Sequence, residues 1–278
     1  HGYGHKVGSA ITEHTGIPII SFTGGTKTGA TIAATAAPMF KKLSLELGGK
    51  NPNIVFADCR YEEMIKTSLQ SSFANQGEIC LCGSRIFIER SLYNTFRDDF
   101  VARTRQLTVG DPLDGGSHLG AVVSQAHMEK ILSYIELAKE EGGDVLCGGT
   151  QMHPDGRCKD GWFVAPTVIE GLPPTCRTNQ EEIFGPVVTL IPFDTEEEAL
   201  GYANGTPYGL AASLWTENLT RAHRIANHLQ SGIIWINCWM LRDLRTPFGG
   251  MKQSGVGREG GLEALRFFTE PRNVCVKL

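Results

Sequence analysis

The chain has 278 residues, of which 41% are hydrophobic and 20% charged, as is usual for a globular protein with one large core or two modest ones. The formal net charge of −4 and the absence of a basic cluster give no reason to expect nucleic acid as a partner. No run of about 18 apolar residues predicts a membrane-spanning helix.

The predicted elements alternate between helices and strands along the whole chain. In the first part, apolar spacing predicts helices at 7–14 and 29–37 around a buried strand at 19–23, followed by strands at 43–47 and 53–56. Further along, helices are predicted at 61–75, 92–106, 126–141, 196–203 and 219–228, and strands at 187–192, 210–215 and 232–237. This order favours an α/β fold with a parallel or mixed sheet covered by helices.

The eight cysteines argue against both a disulfide framework and a metal site. They are spread over the chain without a C-x-x-C pair, and no histidine stands at ligand spacing beside Cys80 and Cys82. We therefore expect no metal, a reducing compartment and a cytoplasmic location. Cys82 is interpreted as a small buried thiol next to a functional one.

Two segments carry residues suited to covalent catalysis. Cys80 ends the segment Phe-Ala-Asn-Gln-Gly-Glu-Ile-Cys, and Glu46 lies in Leu-Glu-Leu-Gly-Gly-Lys. A thiolate can add to a carbonyl and hold the product as a thioester, which a carboxylate can hydrolyse by activating water. Each residue also has an ordinary alternative role: Cys80 as an inert buried thiol, and Glu46 as an ion-paired carboxylate at a strand end.

A glycine-rich turn at 24–29 follows one predicted strand and precedes a helix. Free N–H groups and the helix dipole at such a place can face a pyrophosphate. A turn of this kind alone is more often only a turn, and it is not a phosphate-binding Walker loop, because Thr26 stands before Lys27 where that loop needs glycine.

These segments together resemble the aldehyde dehydrogenase superfamily. The resemblance is carried by the motifs at 22–29, 45–50 and 73–80, by Glu-Glu-Ile-Phe-Gly-Pro at 181–186, and by Pro-Phe-Gly-Gly at 247–250. It implies a partial Rossmann-type cofactor domain at 1–48, a catalytic α/β domain at 49–253, and a return segment with an oligomerisation strand at 254–278. Family members are usually much longer, so we expect this chain, which begins at His1, to be the carboxyl-terminal part of one.

The family resemblance also implies a cofactor and a set of site residues. Cys80 is the implied nucleophile and Glu46 the implied base. The implied cofactor is NAD, with NADP left open because Gly25 and Lys27 depart from the family pattern in the dinucleotide turn. The resemblance assigns cofactor contacts to six residues: Gly24, Gly25, Gly29, Leu47, Glu182 and Phe184. Glu182 would bond the nicotinamide ribose hydroxyls and Phe184 would pack beside the ring; without the family context, Glu182 reads as a surface carboxylate.

The implied reaction is oxidation of an aldehyde to a carboxylic acid. The Cys80 thiolate adds to the aldehyde, hydride passes to NAD⁺, and Glu46 activates the water that hydrolyses the thioester. The Cys80 N–H would hold part of the oxyanion. The asparagine that usually assists is not in this chain, and the loss of such a donor costs about two to three orders of magnitude in rate.

Substrate class and assembly are the least defined expectations. The segment 237–245 resembles the muconic semialdehyde branch of the family, whose substrates are acidic aldehydes. Arg242 and Arg245 would bind the substrate carboxylate, unless Asp243 neutralises one or both of them. The alternating tail at 272–277 predicts a terminal strand, and the resemblance implies that this strand pairs with a neighbouring subunit in a homo-oligomer, dimer or tetramer. Three alternatives stay open: a catalytically silent oligomer subunit, a cofactor-independent thiol esterase, and a retinal-type dehydrogenase.

Overall fold

The computed structural model describes all 278 residues, in nine α-helices, fourteen β-strands and four short helical turns of other types. The helices are α1 Ser9–Glu13, α2 Thr26–Ala36, α3 Tyr61–Phe73, α4 Arg90–Thr104, α5 Gln125–Glu140, α6 Arg177–Gln180, α7 Glu196–Asn204, α8 Leu219–His228 and α9 Gly261–Phe268. The strands are β1 Ile19–Thr23, β2 Lys42–Glu46, β3 Pro52–Val55, β4 Arg85–Glu89, β5 Asp144–Cys147, β6 Gln151–Met152, β7 Phe163–Val164, β8 Thr167–Glu170, β9 Val187–Phe193, β10 Tyr208–Gly209, β11 Ala211–Trp215, β12 Ile233–Ile236, β13 Met251–Lys252 and β14 Gly255–Val256.

A seven-stranded sheet forms the larger part of the molecule. Its strand order is β12-β11-β3-β4-β9-β8-β5, and every pair is parallel except β5 with β8. Side chains alternate across β4, so Ile86 and Ile88 pack with α3 and α4 on one face while Phe87 packs with α7 and α8 on the other. Helices therefore cover both faces, as parallel strands require, and the expected α/β fold is confirmed.

The central strand β4 was not among the predicted strands. It begins with Arg85, and a charged residue at a strand start reads as a surface position. In the structure Arg85 is 1% exposed, and its guanidinium donates to the backbone carbonyls of Lys50, Tyr202 and Ala203. Three carbonyl acceptors satisfy the buried charge, which local sequence patterns cannot show because the acceptors come from distant segments.

A smaller sheet of β1, β2 and β14 carries the first candidate motifs. Strands β1 and β2 are parallel, with Thr23 paired to Glu46, and β14 runs antiparallel to β2. The glycine-rich turn after Thr23 and the strand end at Glu46 consequently lie at the same edge. Ligands of open α/β sheets bind outside the carboxyl ends of parallel strands.

The carboxyl-terminal segment differs from expectation. Residues 269–278 have no regular secondary structure, so the strand predicted at 272–277 joins no sheet within this chain, and the homo-oligomer it was expected to join stays a prediction. The preceding helix α9, which was not predicted, exposes Leu262, Leu265 and Phe268. No helix of the structure is both long and apolar enough to cross a membrane.

Candidate active site

The loop that carries Cys80 is held in an unusual backbone conformation. Asn75, Gln76 and Gly77 all have positive φ angles of 50°, 56° and 71°. The Gln76 side chain accepts from the Gly120 N–H and donates to the Ala121 carbonyl, which fixes the loop from outside. A Cβ at Gly77 would lie 2.2 Å from the Gly185 carbonyl oxygen. The loop is thus packed directly against the 181–186 turn, and its strained conformation persists because its surroundings determine it.

Cys80 is half-buried in a turn after this loop, and no helix begins there. No helix dipole therefore assists the thiol. Burial raises the pKa of the Cys80 thiol, and the carboxylates of Glu182 and Glu46 raise it further, against a smaller lowering by its own N–H and Arg242. Most of the thiol is consequently protonated at pH 7 in the chain alone, and an added positive charge would increase the thiolate fraction.

Glu46 is a buried carboxylate without a hydrogen-bond partner. Its side chain is 5% exposed, and Oε1 contacts no donor. Burial raises the pKa of Glu46 to about 7, with a further rise from Glu259 and an opposing effect of Arg258 and Arg242. A carboxylate that is half-ionised near neutral pH is suited to accept a proton from water.

The raised pKa predicts how Glu46 affects stability. Between pH 4.5 and about 7 the folded chain holds a proton on Glu46 that the unfolded chain releases, so this group makes folding less favourable as pH rises through that window. We expect Glu46→Gln to raise the free energy of unfolding by up to about 3 kcal/mol at pH 8 and to leave it nearly unchanged at pH 4.5. Urea unfolding at both pH values checks this; an equal gain at both would contradict it.

The turn that follows Glu46 is fixed by hydrogen bonds from several elements. The Gly24 N–H donates to the Glu46 carbonyl at 3.0 Å, and the Leu47 N–H donates to the Ser254 carbonyl at 2.9 Å. The buried Ser254 hydroxyl also donates to the Gly48 carbonyl at 2.6 Å. The turn after β2 is therefore clamped between the glycine-rich turn and the strand β14 region.

One cavity of about 470 Å³ brings most of the predicted residues together. Its walls include seven of them: Gly24, Gly25, Glu46, Leu47, Cys80, Glu182 and Phe184. A second cavity of about 640 Å³ lies between α1, β1 and α2 and is lined by Phe22, Lys27, Thr28 and Thr31. Phe22 lines the second cavity and the adjacent Thr23 lines the first, so the two cavities are neighbours at the end of β1, where the glycine-rich turn begins.

Glu182 and Phe184 face this first cavity from the 181–186 turn. Glu182 Oε1 accepts the Gly49 N–H at 2.9 Å, and burial raises the pKa of this carboxyl. A Cβ at Gly48 would lie 2.3 Å from Glu182 Oε2, so only glycine admits this contact. Phe184 has a positive φ of 62°, and its carbonyl lies 2.6 Å from His127 Nε2.

Three predicted residues do not line this cavity: Gly29, Arg242 and Arg245. Gly29 lies inside α2, which begins three residues earlier than the predicted helix 29–37, and it is buried where a Cβ would meet the Leu47 side chain at 2.5 Å. Its role in the structure is close packing of helix on strand. Arg245 is exposed and forms a bidentate ion pair with Asp243, with Nε 2.9 Å from Oδ1.

Arg242 has a different environment from Arg245. Its guanidinium lies 4.4 Å from the Phe248 ring centre and has no carboxylate partner. It lines a groove of about 150 Å³ together with Trp235, Phe248 and Glu259. Its charge lowers the pKa of both Glu46 and Cys80. Asp243 therefore neutralises Arg245 and leaves Arg242 free near Cys80 and Glu46.

Four cavity and groove residues were not assigned roles from the sequence alone. Glu78, His127 and Lys130 line the main cavity, and Glu259 raises the pKa of Glu46. His127 Nε2 lies 3.4 Å from Glu78 Oε1, and Lys130 Nζ donates to the Glu182 carbonyl. No local signal distinguishes His127 and Lys130, because both lie on α5, whose apolar spacing is that of an ordinary amphipathic surface helix.

Known proteins resemble this chain over nearly its whole length. Residues 1–274 match the aldehyde dehydrogenase family. The chain is 50% identical over 278 residues to the 2-aminomuconic semialdehyde dehydrogenase of Mus musculus, covering 99% of this chain and 57% of that protein. It is 47% identical over 279 residues to the 2-hydroxymuconic semialdehyde dehydrogenase of Pseudomonas sp. strain CF600, covering 100% and 57% respectively.

A solved structure gives the same fold. Betaine aldehyde dehydrogenase from Staphylococcus aureus, crystallised in complex with NAD⁺, superposes with a TM-score of 0.91 at 40% identity, over 95% of this chain and 52% of that one. The chain thus spans a little over half the length of the proteins it matches. With a family match over nearly all its residues and this agreement in fold, the chain belongs to the aldehyde dehydrogenase family.

Proposed function

We propose that this chain catalyses the NAD-dependent oxidation of an acidic semialdehyde to a carboxylic acid, with Cys80 as nucleophile and Glu46 as base. The observation that carries the proposal is that Cys80 and the unpartnered Glu46 carboxylate line one cavity beside a glycine-rich turn. The names of the semialdehyde dehydrogenases it resembles support the substrate class. This chain spans 57% of the length of the first of those relatives, so the statement that it has the activity of a full-length enzyme is itself part of the proposal.

The residues present fit a dinucleotide. The N-terminus of α2 has no side-chain cap and follows Gly24 and Gly25, so its free N–H groups are available for a pyrophosphate. The nicotinamide end would occupy the 470 Å³ cavity beside Glu182 and Phe184, and the adenosine end the 640 Å³ cavity between α1 and α2. When bound, NAD⁺ supplies a hydride acceptor and a positive charge close to the thiol.

The chemistry assigned to the chain itself begins at Cys80. Its thiolate adds to the aldehyde carbon, and the Cys80 N–H, which has no backbone acceptor, is available to the oxyanion. After oxidation the acyl group is held as a thioester on Sγ. Glu46 then takes a proton from water, whose oxygen attacks the thioester and releases the acid. The pKa of about 7 keeps roughly half of Glu46 ionised at neutral pH.

The free arginine supports an acidic substrate. Arg242 is exposed, lies near both catalytic groups, and is not neutralised by Asp243. A guanidinium without a carboxylate partner at a site entrance can bind a substrate carboxylate with two parallel hydrogen bonds. Arg245 lacks this capacity because its guanidinium already binds Asp243 bidentately.

This proposal predicts a charge-dependent specificity. NADH formation by the 278-residue chain should be faster with a muconic-type semialdehyde than with an uncharged aldehyde of equal length. Arg242→Ala should lower kcat/KM for the acidic substrate about 10- to 100-fold more than for the uncharged one, which corresponds to the loss of one charge-assisted hydrogen-bond pair. Arg245→Ala is the matched control and should change neither value. Absence of turnover in folded protein would favour the silent-subunit alternative.

The proposal includes a cytoplasmic location and a homo-oligomeric assembly for this chain. The eight cysteines are all free, which suits the reducing cytoplasm. Exposed apolar residues on α9 and in the tail, among them Leu265, Val274 and Val276, support a homo-oligomer that covers them. The proposed partners are therefore the small-molecule aldehyde and further copies of the chain.

A further inference from the structure

The side chain of Asn51 connects the nucleophile loop to the main sheet. Asn51 is 4% exposed, directly before β3. Its Nδ2 donates to the Cys80 carbonyl at 2.7 Å and to the Cys82 carbonyl at 2.9 Å. Its Oδ1 accepts the Ala211 N–H, at the start of β11, at 3.0 Å. The Asn51 amide thus makes three hydrogen bonds, two as donor and one as acceptor, and all three are to backbone groups of two other segments.

These bonds fix the peptide plane that follows the nucleophile. The Cys80 carbonyl and the next N–H belong to one planar trans peptide, so a bond that holds the carbonyl also sets the orientation of that unit. The second bond, to Cys82, prevents the turn from rotating about the first. Both N–H groups flanking this carbonyl, of Cys80 and Leu81, have no backbone acceptor, so no secondary structure fixes this stretch. The Asn51 amide supplies the constraint instead.

We propose that Asn51 is a positioning residue for the Cys80 nucleophile, an inference that rests on the function proposed above. The amide holds the Cys80 backbone so that the thiol stays within reach of the Arg242 charge. Without the amide, the turn keeps its own backbone bond from the Cys82 N–H and one bond from Trp239 Nε1, and neither of these holds the Cys80 carbonyl. A thiol that moves away from the positive charge loses stabilisation of its thiolate.

The chain offers a matched control at Asn53. This residue is two positions further on, lies within β3, and is 1% exposed. Its Nδ2 donates to the Ser68 hydroxyl on α3 at 2.8 Å and makes no bond to the nucleophile loop. Asn53→Ala therefore removes a buried asparagine from the same segment without touching the turn around Cys80.

The test is the rate of iodoacetamide alkylation at Cys80 in the full 278-residue chain, followed from pH 6 to pH 9 by mass spectrometry. Cys275, which is exposed in the tail, is the internal reference. In Asn51→Ala we expect the plot of log rate against pH to move about one unit to higher pH, a rate about tenfold lower at each pH. Asn53→Ala and the Cys275 rate should not move.

Amide hydrogen exchange of residues 78–84 provides the second readout and should accelerate in Asn51→Ala only. If Asn51→Ala does not fold, Asn51→Asp keeps the side-chain shape and removes both donors. Unchanged or faster alkylation of Cys80 in either Asn51 variant, or an equal shift in Asn53→Ala, would overturn the positioning role. Alkylation needs neither NAD⁺ nor aldehyde, so a chain without dehydrogenase activity would refute the proposed function and still answer this question.

Discussion

Cys80→Ala is expected to abolish turnover of both aldehydes and activated esters, lowering kcat about 10⁴-fold or more. The reason is chemical: alanine has no group that can carry the acyl intermediate, and the Glu46 carboxylate alone acts only as a base for water. Hydrolysis of p-nitrophenyl acetate measures the loss without any cofactor. Mass spectrometry of the wild-type chain should find the transient acyl group on the peptide that contains Cys80.

Cys82→Ala is the control for loss of a thiol in the same loop. Burial raises the pKa of Cys82 to about 12, its Sγ lies 4.0 Å from the Ala74 carbonyl oxygen, and it does not line the cavity that Cys80 and Glu46 share. This variant should keep its ester turnover, apart from a small loss of stability. If Cys80→Ala retains turnover while Cys82→Ala loses it, the nucleophile has been assigned to the wrong residue.

The sequence singles out the proposed catalytic pair because each residue stands in a segment with a distinctive local pattern. Glu46 ends an apolar strand before two glycines, and Cys80 follows a loop rich in special backbone conformations. The sequence does not give their separation in space. It is the pairing of Thr23 with Glu46, and the packing of Gly77 on Gly185, that bring the glycine-rich turn, the base and the thiol to one cavity.

The two arginines show what spacing cannot decide. In the sequence, Asp243 stands between them and either could be its partner. In the structure Asp243 Oδ1 accepts the Arg245 backbone N–H at 2.9 Å, and the Thr246 N–H donates to the Asp243 carbonyl at 3.1 Å. This local turn brings the Asp243 carboxylate next to the residues that follow it in the chain. The carboxylate therefore pairs with Arg245. Arg242 instead stacks on Phe248, a contact set by the tertiary fold.

The positions of Asn51 and Arg85 were also beyond sequence reasoning. Asn51 lies directly before β3 and Arg85 is the first residue of β4, and for polar residues at strand starts a surface role is the ordinary expectation. Both are instead buried, and their partners are backbone groups that lie 29 or more residues away in sequence. Hydrogen bonding to distant backbone leaves no periodic signal, since the acceptor can be any residue type.

Glu46→Gln is expected to separate the two halves of the reaction. Glutamine has nearly the shape of glutamate and cannot accept a proton, so acylation of Cys80 should continue while hydrolysis of the thioester slows about 10²- to 10⁴-fold. Stopped-flow measurement with p-nitrophenyl acetate should show a full burst of product followed by a much slower steady rate. Glu89→Gln is the matched control, because Glu89 also ends a strand and its carboxylate accepts from the Ala57 N–H and the Ser91 hydroxyl, outside the cavity.

The pH dependence provides the more specific test of Glu46. Its pKa of about 7 predicts that wild-type thioester hydrolysis falls about tenfold for each unit below pH 7 and levels off above it, since only the ionised carboxylate takes the proton from water. The residual rate of Glu46→Gln should show no such midpoint near pH 7. Because Glu259 contributes to the raised pKa, Glu259→Gln should move the wild-type midpoint to lower pH. A midpoint that remains in Glu46→Gln would assign the base to another group, and the buried carboxylate would then serve only the fold.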